Sequence, residues 1–174
     1  NVNHIDGILL THEHKDHIGG IDDVRAFNYT QREAIDIYAT SQVQQSVMKD
    51  FDYAFGDDKY PGAPEINLIT IDGDTPFSVK GMEIAPVKGM HYKLPVLGFR
   101  MGGIAYLTDF NYISDEEIEK IKGVDILVIN ALRHEHHISH FTLSEALHLR
   151  WLVQPRQTYM THISHQMGRY EKVE

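Results

Sequence analysis

The stretch Thr11-His12-Glu13-His14-Lys15-Asp16-His17 decides how this chain is read. It places three imidazoles and the Asp16 carboxylate within six residues. It directly follows the apolar run Ile5-Asp6-Gly7-Ile8-Leu9-Leu10, which reads as a buried strand. Imidazole nitrogen and carboxylate oxygen are the usual ligands of zinc and related divalent ions. His12 and His14 lie two apart, so in extended backbone their side chains point to one side. Asp16 and His17 follow in a turn, which directs them at a neighbouring point. Gly19-Gly20 then lets the backbone pack closely where a helix, Asp23 to Tyr29, begins. The plain alternative is a solvated loop that is His-rich by accident.

Outward from this segment, apolar runs bounded by turn residues alternate with helical spacings. Ile35 to Ala39 reads as a strand, Ser41 to Phe51 as a helix and Gly56 to Pro64 as a loop. Four strands are expected at Ile66 to Ile71, Met82 to Val87, Val96 to Met101 and Ile104 to Leu107, with turns at Gly73, Gly89 and Gly102-Gly103. Ser114 and Glu117 have the spacing of a capping box opening a helix to about Lys122. Val124 to Asn130 is a continuous apolar run, consistent with a central strand buried on both faces. Thr142 and Glu145 repeat the capping-box spacing. Leu143, Ala146, Leu147, Arg150 and Trp151 continue it at helical intervals until Pro155, and Thr158 to Thr161 is a last short strand. Mixed strands and helices without internal repeat or linker predict one layered α/β or α+β domain over residues 1–174.

The 174 residues hold twelve histidines, no cysteine and a formal net charge of −9. Nine of the histidines fall in three short segments, around His12–His17, Arg133–His140 and His162–His165. Without cysteine there are no disulfides or thiolate metal sites, which fits a reducing, cytoplasmic setting. No apolar run approaches the ~20 residues that cross a bilayer, so no membrane partner is expected. No basic stripe is present to release counterions, so a nucleic-acid partner is not expected either. A small anionic substrate held by bound cations is compatible with the acidic balance. So is a homodimer.

His-x-His-x-Asp-His after an apolar strand resembles the signature of the metallo-β-lactamase fold. Later segments follow in that family's order: Met90-His91-Tyr92, Tyr106-Leu107-Thr108-Asp109, and Tyr159-Met160-Thr161-His162-Ile163-Ser164-His165. The resemblance implies an αββα four-layer sandwich with two metals at its edge. His12, His14 and His91 would hold the first metal, Asp16, His17 and His162 the second, and Asp109 would bridge them. Mixed nitrogen and oxygen ligands favour zinc, with manganese or iron next. Leu94-Pro95-Val96-Leu97-Gly98-Phe99-Arg100, Ser139-His140-Phe141-Thr142-Leu143 and Thr161-His162-Ile163-Ser164-His165-Gln166 are similar to the phosphodiesterase branch. That branch includes the phosphoribosyl cyclic phosphate phosphodiesterases (PhnP-like) and, more distantly, the tRNA 3′-end ribonucleases. Family members carry several strands and a Gly-rich loop before the His-rich motif, whereas here it begins at Thr11. The sequence therefore reads as a sandwich lacking its N-terminal strands and C-terminal end, and as part of a longer protein.

The resemblance implies hydrolysis of a small, cyclic or linear phosphodiester. Two metals about 3.5–4 Å apart would share a hydroxide formed near neutral pH, because metal binding lowers the pKa of water to about 7. Asp16, as a ligand, and His140, as an imidazolium that binds phosphate or protonates the leaving alkoxide, would be the catalytic residues. His134, His136 and His137 read as a solvated loop, and His4 and His148 as structural or surface residues. Thioester, lactone or β-lactam hydrolysis is the alternative on the same fold. A non-catalytic metal-binding module is the alternative of another class.

Overall fold

The computed structural model describes residues 2–56 and 59–168. Asp57 and Asp58, in the loop expected between Gly56 and Pro64, lie outside the described residues. Contacts group the chain into two compact units, the first ending at Asp72 and the second beginning at Gly73. No described helix is long and apolar enough to cross a membrane.

The first unit is built on a parallel sheet of β1 (Ile8–Leu9), β2 (Ile35–Ala39) and β3 (Ile66–Thr70), in that order. Ile8 pairs with Ile37, and Ile35 with Ile66. Alternation along β2 buries Ile35, Ile37 and Ala39. The strand expected from Ile5 is shorter, because the Gln31 side chain takes the Ile5 backbone: its Oε1 accepts from Ile5 N (2.8 Å) and its Nε2 donates to Ile5 O (3.1 Å). After β1 come α1 (Lys15–Ile18), a 3₁₀ turn over Gly19–Val24 and α2 (Arg25–Gln31). The helix expected at Asp23 thus opens as a 3₁₀ segment, whose three-residue repeat buries both Ile21 and Val24. The helix α3 (Ser41–Asp50) is capped by the Thr40 side chain, which accepts from Val43 N, and seats Val43 and Val47 in the core.

The second unit holds a mixed sheet that is seven-stranded among the described residues. Its strands are β4 (Phe77–Val79), β5 (Met82–His91), β6 (Leu94–Met101), β7 (Ile104–Leu107), β8 (Tyr112–Ile113), β9 (Ile126–Asn130) and β10 (Gln157–Thr161). The order is β10-β9-β7-β6-β5-β4, with β8 paired to β5. Strands β4 to β7 form an antiparallel meander, while β7, β9 and β10 run parallel. The parallel crossovers contain α4 (Asp115–Ile121) and α5 (Leu143–Val153). Two reversals make β5 run in the direction of β7, so the carboxyl ends of β5, β7, β9 and β10 share one edge.

Several local expectations change once packing is visible. The strand β9 is central, but α4 and α5 cover only the face carrying Leu127 and Ile129, and Ile126 and Val128 opposite are half-buried. Ser114 caps α4, yet the buried Glu117 does not return to the cap. Its carboxylate accepts from Lys88 N and Lys120 Nζ instead, both at 2.8 Å. The Thr142–Glu145 box closes in both directions. Helix α5 buries Ala146, Leu149 and Val153, and leaves Leu147 and Trp151 exposed.

Gly89 is not a turn. It lies inside β5, where a Cβ would stand 2.2 Å from the ring of the fully buried Phe110. Glycine here makes room for that ring. Gly89→Ala should therefore destabilise the protein by about 1–3 kcal/mol through overpacking. Chemical denaturation should show this loss, and Phe110→Leu in the same chain should recover part of it.

Candidate metal centre

In the first unit the His-rich segment leaves β1 and turns into α1, bringing His12, His14, Asp16 and His17 to one place. His12 is fully buried, and its Nδ1 lies 3.0 Å from Thr11 Oγ1. Its Nε2 faces His14 Nδ1 at 3.1 Å, and its ring centroid is 4.2 Å from that of His17. His17 Nε2 lies 3.3 Å from Asp16 Oδ2. Glu13 turns away, its carboxylate accepting from Gln42 Nε2 at 2.7 Å.

In the second unit the remaining expected residues gather on the shared edge, as ligand sites on such sheets do. His91 ends β5, Asp109 follows β7, and His162 follows β10. Asp109 and His162 hold left-handed backbone, with φ of 61° and 54°. For residues other than glycine this costs energy and is found where surrounding structure enforces it. At Asp109 the enforcement comes from Asn130 at the end of β9. Its side chain accepts from Phe110 N at 2.8 Å and donates to Phe110 O at 3.0 Å, while Phe110 O also accepts from Phe141 N at 2.7 Å.

The carboxylate of Asp109, only 2% exposed, lies between two histidines. Oδ1 is 3.2 Å from His162 Nε2 and accepts from Thr108 Oγ1 at 2.7 Å; Oδ2 is 4.0 Å from His91 Nε2. His91 Nδ1 lies 2.8 Å from the Ser139 carbonyl, which can only accept, so Nδ1 carries a hydrogen, and in the neutral ring the lone pair is on Nε2. Two ligands at about 2.0–2.1 Å on a tetrahedral ion have donor atoms about 3.3 Å apart. The His12–His14 and Asp109–His162 pairs, at 3.1 and 3.2 Å, come close to that spacing. These residues fit divalent ions.

His140 is buried beside His91 and His162, with ring centroids 4.6 and 4.7 Å away. Its Nδ1 is buried without a hydrogen-bond partner among the described residues. Ligand atoms of Asp109, His140 and His162 all lie within 4.8 Å of one another, so geometry alone admits His140 as a donor. Burial lowers its pKa to about 4, against the pull of Asp109, with His91, His162 and His137 adding to the depression. The ring is therefore neutral at pH 7 in the metal-free protein, not the expected imidazolium.

The loop of Arg133 to His137 is only partly the solvated loop expected. His134 and His136 are exposed, but His137 stacks on His140 at 5.1 Å and 18°. Burial, and then Arg133, lower the His137 pKa. His165 is exposed on a 3₁₀ turn, His148 stacks on Trp151, and His4 meets Asp6 at the surface. The sequence reading missed Thr108, Asn130 and the Ser139 carbonyl. A polar residue closing the apolar run Val124 to Asn130 was the one available signal.

A family model described as the β-lactamase superfamily domain matches residues 1–163, and the chain belongs to that superfamily. Its mixed α/β fold is the metallo-β-lactamase fold. A crystal structure of a diphosphatase from the PhnP family is 32% identical, with a TM-score of 0.87 over 98% of this chain and 64% of that one. The metallo-β-lactamase fold protein YhfI from Bacillus subtilis has a TM-score of 0.73 at 17% identity, over 97% of this chain and 68% of that one, a likeness of fold. An octanoyltransferase of Porphyromonas gingivalis (strain ATCC BAA-308 / W83) is 37% identical over 94% of this chain, which spans 33% of that protein. The chain thus covers less than two thirds of the diphosphatase and one third of the transferase.

The metal-free protein should show a His140 imidazole that titrates near pH 4, measurable by NMR on ¹⁵N-histidine-labelled protein. A folded pKa below the ordinary 6.5 means that the unfolded chain takes up this proton first. This site should therefore weaken the metal-free fold as pH falls from about 6.5 toward about 4, and have no effect above that window.

Proposed function

We propose that this chain is the metal-binding hydrolase part of a phosphodiesterase acting on a small, cyclic or linear phosphodiester. On this reading His12, His14 and His91 would hold one divalent ion, Asp16, His17 and His162 would hold the other, and Asp109 would be a ligand shared by both. The observation that carries this reading is the Asp109 carboxylate, buried with one oxygen toward His162 and the other toward His91. The 32% identity to a PhnP-family diphosphatase supports phosphorus as the electrophile. The net charge of −9 favours a small anion over a nucleic acid.

When bound, the two ions supply Lewis acidity and a water acidic enough to ionise near neutral pH. Zinc suits the nitrogen and oxygen donors, with manganese and iron next. The protein's own part is to hold its ligands before the substrate arrives. Thr108 and Asn130 fix Asp109, and the Ser139 carbonyl fixes the His91 tautomer. His140, neutral in the metal-free protein, exchanges one hydrogen bond with the substrate. A bound phosphodiester anion favours its protonated form, from which the proton passes to the leaving alkoxide. The absence of cysteine accords with work in the reducing cytoplasm.

A second reading is hydrolysis of an acyl thioester, favoured by the 37% identity to a protein named octanoyltransferase. This chain spans only a third of that protein, so the name can belong to its other parts. Zinc- and manganese-loaded protein assayed on a cyclic phosphodiester, a dinucleoside diphosphate and an octanoyl thioester separates these readings. Turnover of the thioester alone would overturn the phosphodiesterase reading.

Two sets of variants test the residue roles. Asp109→Ala should bind fewer ions per chain than the native protein, whereas His165→Ala should bind the same number; metal analysis decides. His140→Ala should keep both ions and lose about 10²–10⁴-fold in kcat on an alkyl phosphodiester, with a smaller loss on a nitrophenyl ester, which needs little protonation. Equal losses on both esters would assign His140 to phosphate binding. Loss of metal would make it a ligand.

A further inference from the structure

Every residue that orients a ligand in the second unit has so far acted from the sheet or from the His140 loop. One side chain joins the two. Asn111 lies just past the end of the β5–β8 pairing, in which Gly89 faces Ile113 and Met90 faces Tyr112. Continuing that antiparallel register puts Asn111 opposite His91. Its contacts fall on both sides of that residue: Asn111 N donates to Met90 O at 2.8 Å, and Asn111 Oδ1 accepts from Tyr92 N at 2.7 Å. The second bond steadies an unfavourable conformation, because Tyr92 has φ of 59°. The other end of the amide, Nδ2, donates to Ile138 O at 3.1 Å. The next carbonyl along, that of Ser139, accepts from His91 Nδ1.

These bonds close a circuit. It runs from the His91 backbone through the Tyr92 N–H to the Asn111 amide, on to the Ile138–Ser139 peptide, and back to His91 through its ring nitrogen. We infer that Asn111 is the positioning residue for His91, fixing both its backbone and the carbonyl that selects its ring tautomer. The role needs an amide. A carboxylate at this position keeps the bond from Tyr92 N but cannot donate to Ile138 O. An alanine keeps neither. Asn111 serves metal binding only through the reading of His91 as a ligand proposed above, whereas its hold on the His91 ring exists without any metal.

The test uses the full chain, ¹⁵N-labelled at histidine, in native, Asn111→Ala and Asn111→Asp forms. Asn67→Ala serves as a control, since that amide bonds Asp36 in the other unit. In the native metal-free protein His91 should give the signature of a fixed Nδ1–H tautomer. Asn111→Ala should shift it to a mixture, and Asn111→Asp should fall between. Zinc affinity, measured by competition with a chromophoric chelator, should drop about 10–100-fold in Asn111→Ala, the usual cost of losing a group that orients a ligand. Asn67→Ala should change neither readout. An unchanged His91 signature and unchanged zinc affinity in Asn111→Ala would overturn the proposal. If Asn111→Ala fails to fold, the same comparison on Asn111→Asp decides. A native protein that binds no zinc would refute the metal reading, and the tautomer signal would still decide the role of Asn111.

Discussion

A carboxylate removed from water is the constraint around which the second unit is organised. Burying an ionised group is costly unless hydrogen bonds and opposite charge replace its hydration. Asp109 meets that demand through Thr108 and His162 directly, and with His91 at longer range. The need reaches into the backbone. Asp109 turns left-handed, Phe110 is clamped by Asn130, and the Phe110 ring fills the space that Gly89 leaves in β5. A glycine inside a strand, an asparagine ending another and a strained turn after a third are thus parts of one arrangement. Its chemical product is a carboxylate with its two oxygens turned toward different imidazoles.

Sheet direction explains why these groups meet. The parallel run β7, β9 and β10 puts three carboxyl ends on one edge, and the meander returns β5 in the same sense. Loops leaving that edge need not continue a ladder, so they can spend backbone hydrogen bonds on orienting side chains. The Ser139 carbonyl on His91 and the Asn130 clamp on Phe110 are such uses. Four imidazoles, His91, His137, His140 and His162, consequently lie in ring contact or close by, and burial keeps His140 unprotonated.

The relatives carry names from two different chemistries. A PhnP-family diphosphatase and a protein named octanoyltransferase share about a third of their aligned residues with this chain, which covers only part of each. Phosphorus and acyl carbon centres both suit a pair of Lewis-acidic ions. Choice between them belongs to groups around the substrate, which vary on a common fold.

The sequence by itself determined the main elements, and the resemblance of its motifs supplied the residues expected as ligands. Ile35 to Ala39 and Ile104 to Leu107 were legible to the residue, because β-strand apolar runs end at recognisable turns. The capping box at Thr142 was equally plain, being a contact across three residues. The density of histidine around His12 is a local signal, since side chains two and four residues apart need no distant partner to be noticed. Only the tertiary structure decided what Gly89, Glu117, Asn130 and Asn111 do, because each answers to a neighbour at least nineteen residues away. It also chose the buried face of α5: Leu147 and Trp151 have core-like spacing, but apolar residues are spread around the helix among Ser144, Glu145, His148 and Arg150, and the sheet beneath it selected Ala146, Leu149 and Val153. The protonation of His140 was decided there as well. A histidine's charge depends on the water and the charges around it, and the chain order records neither.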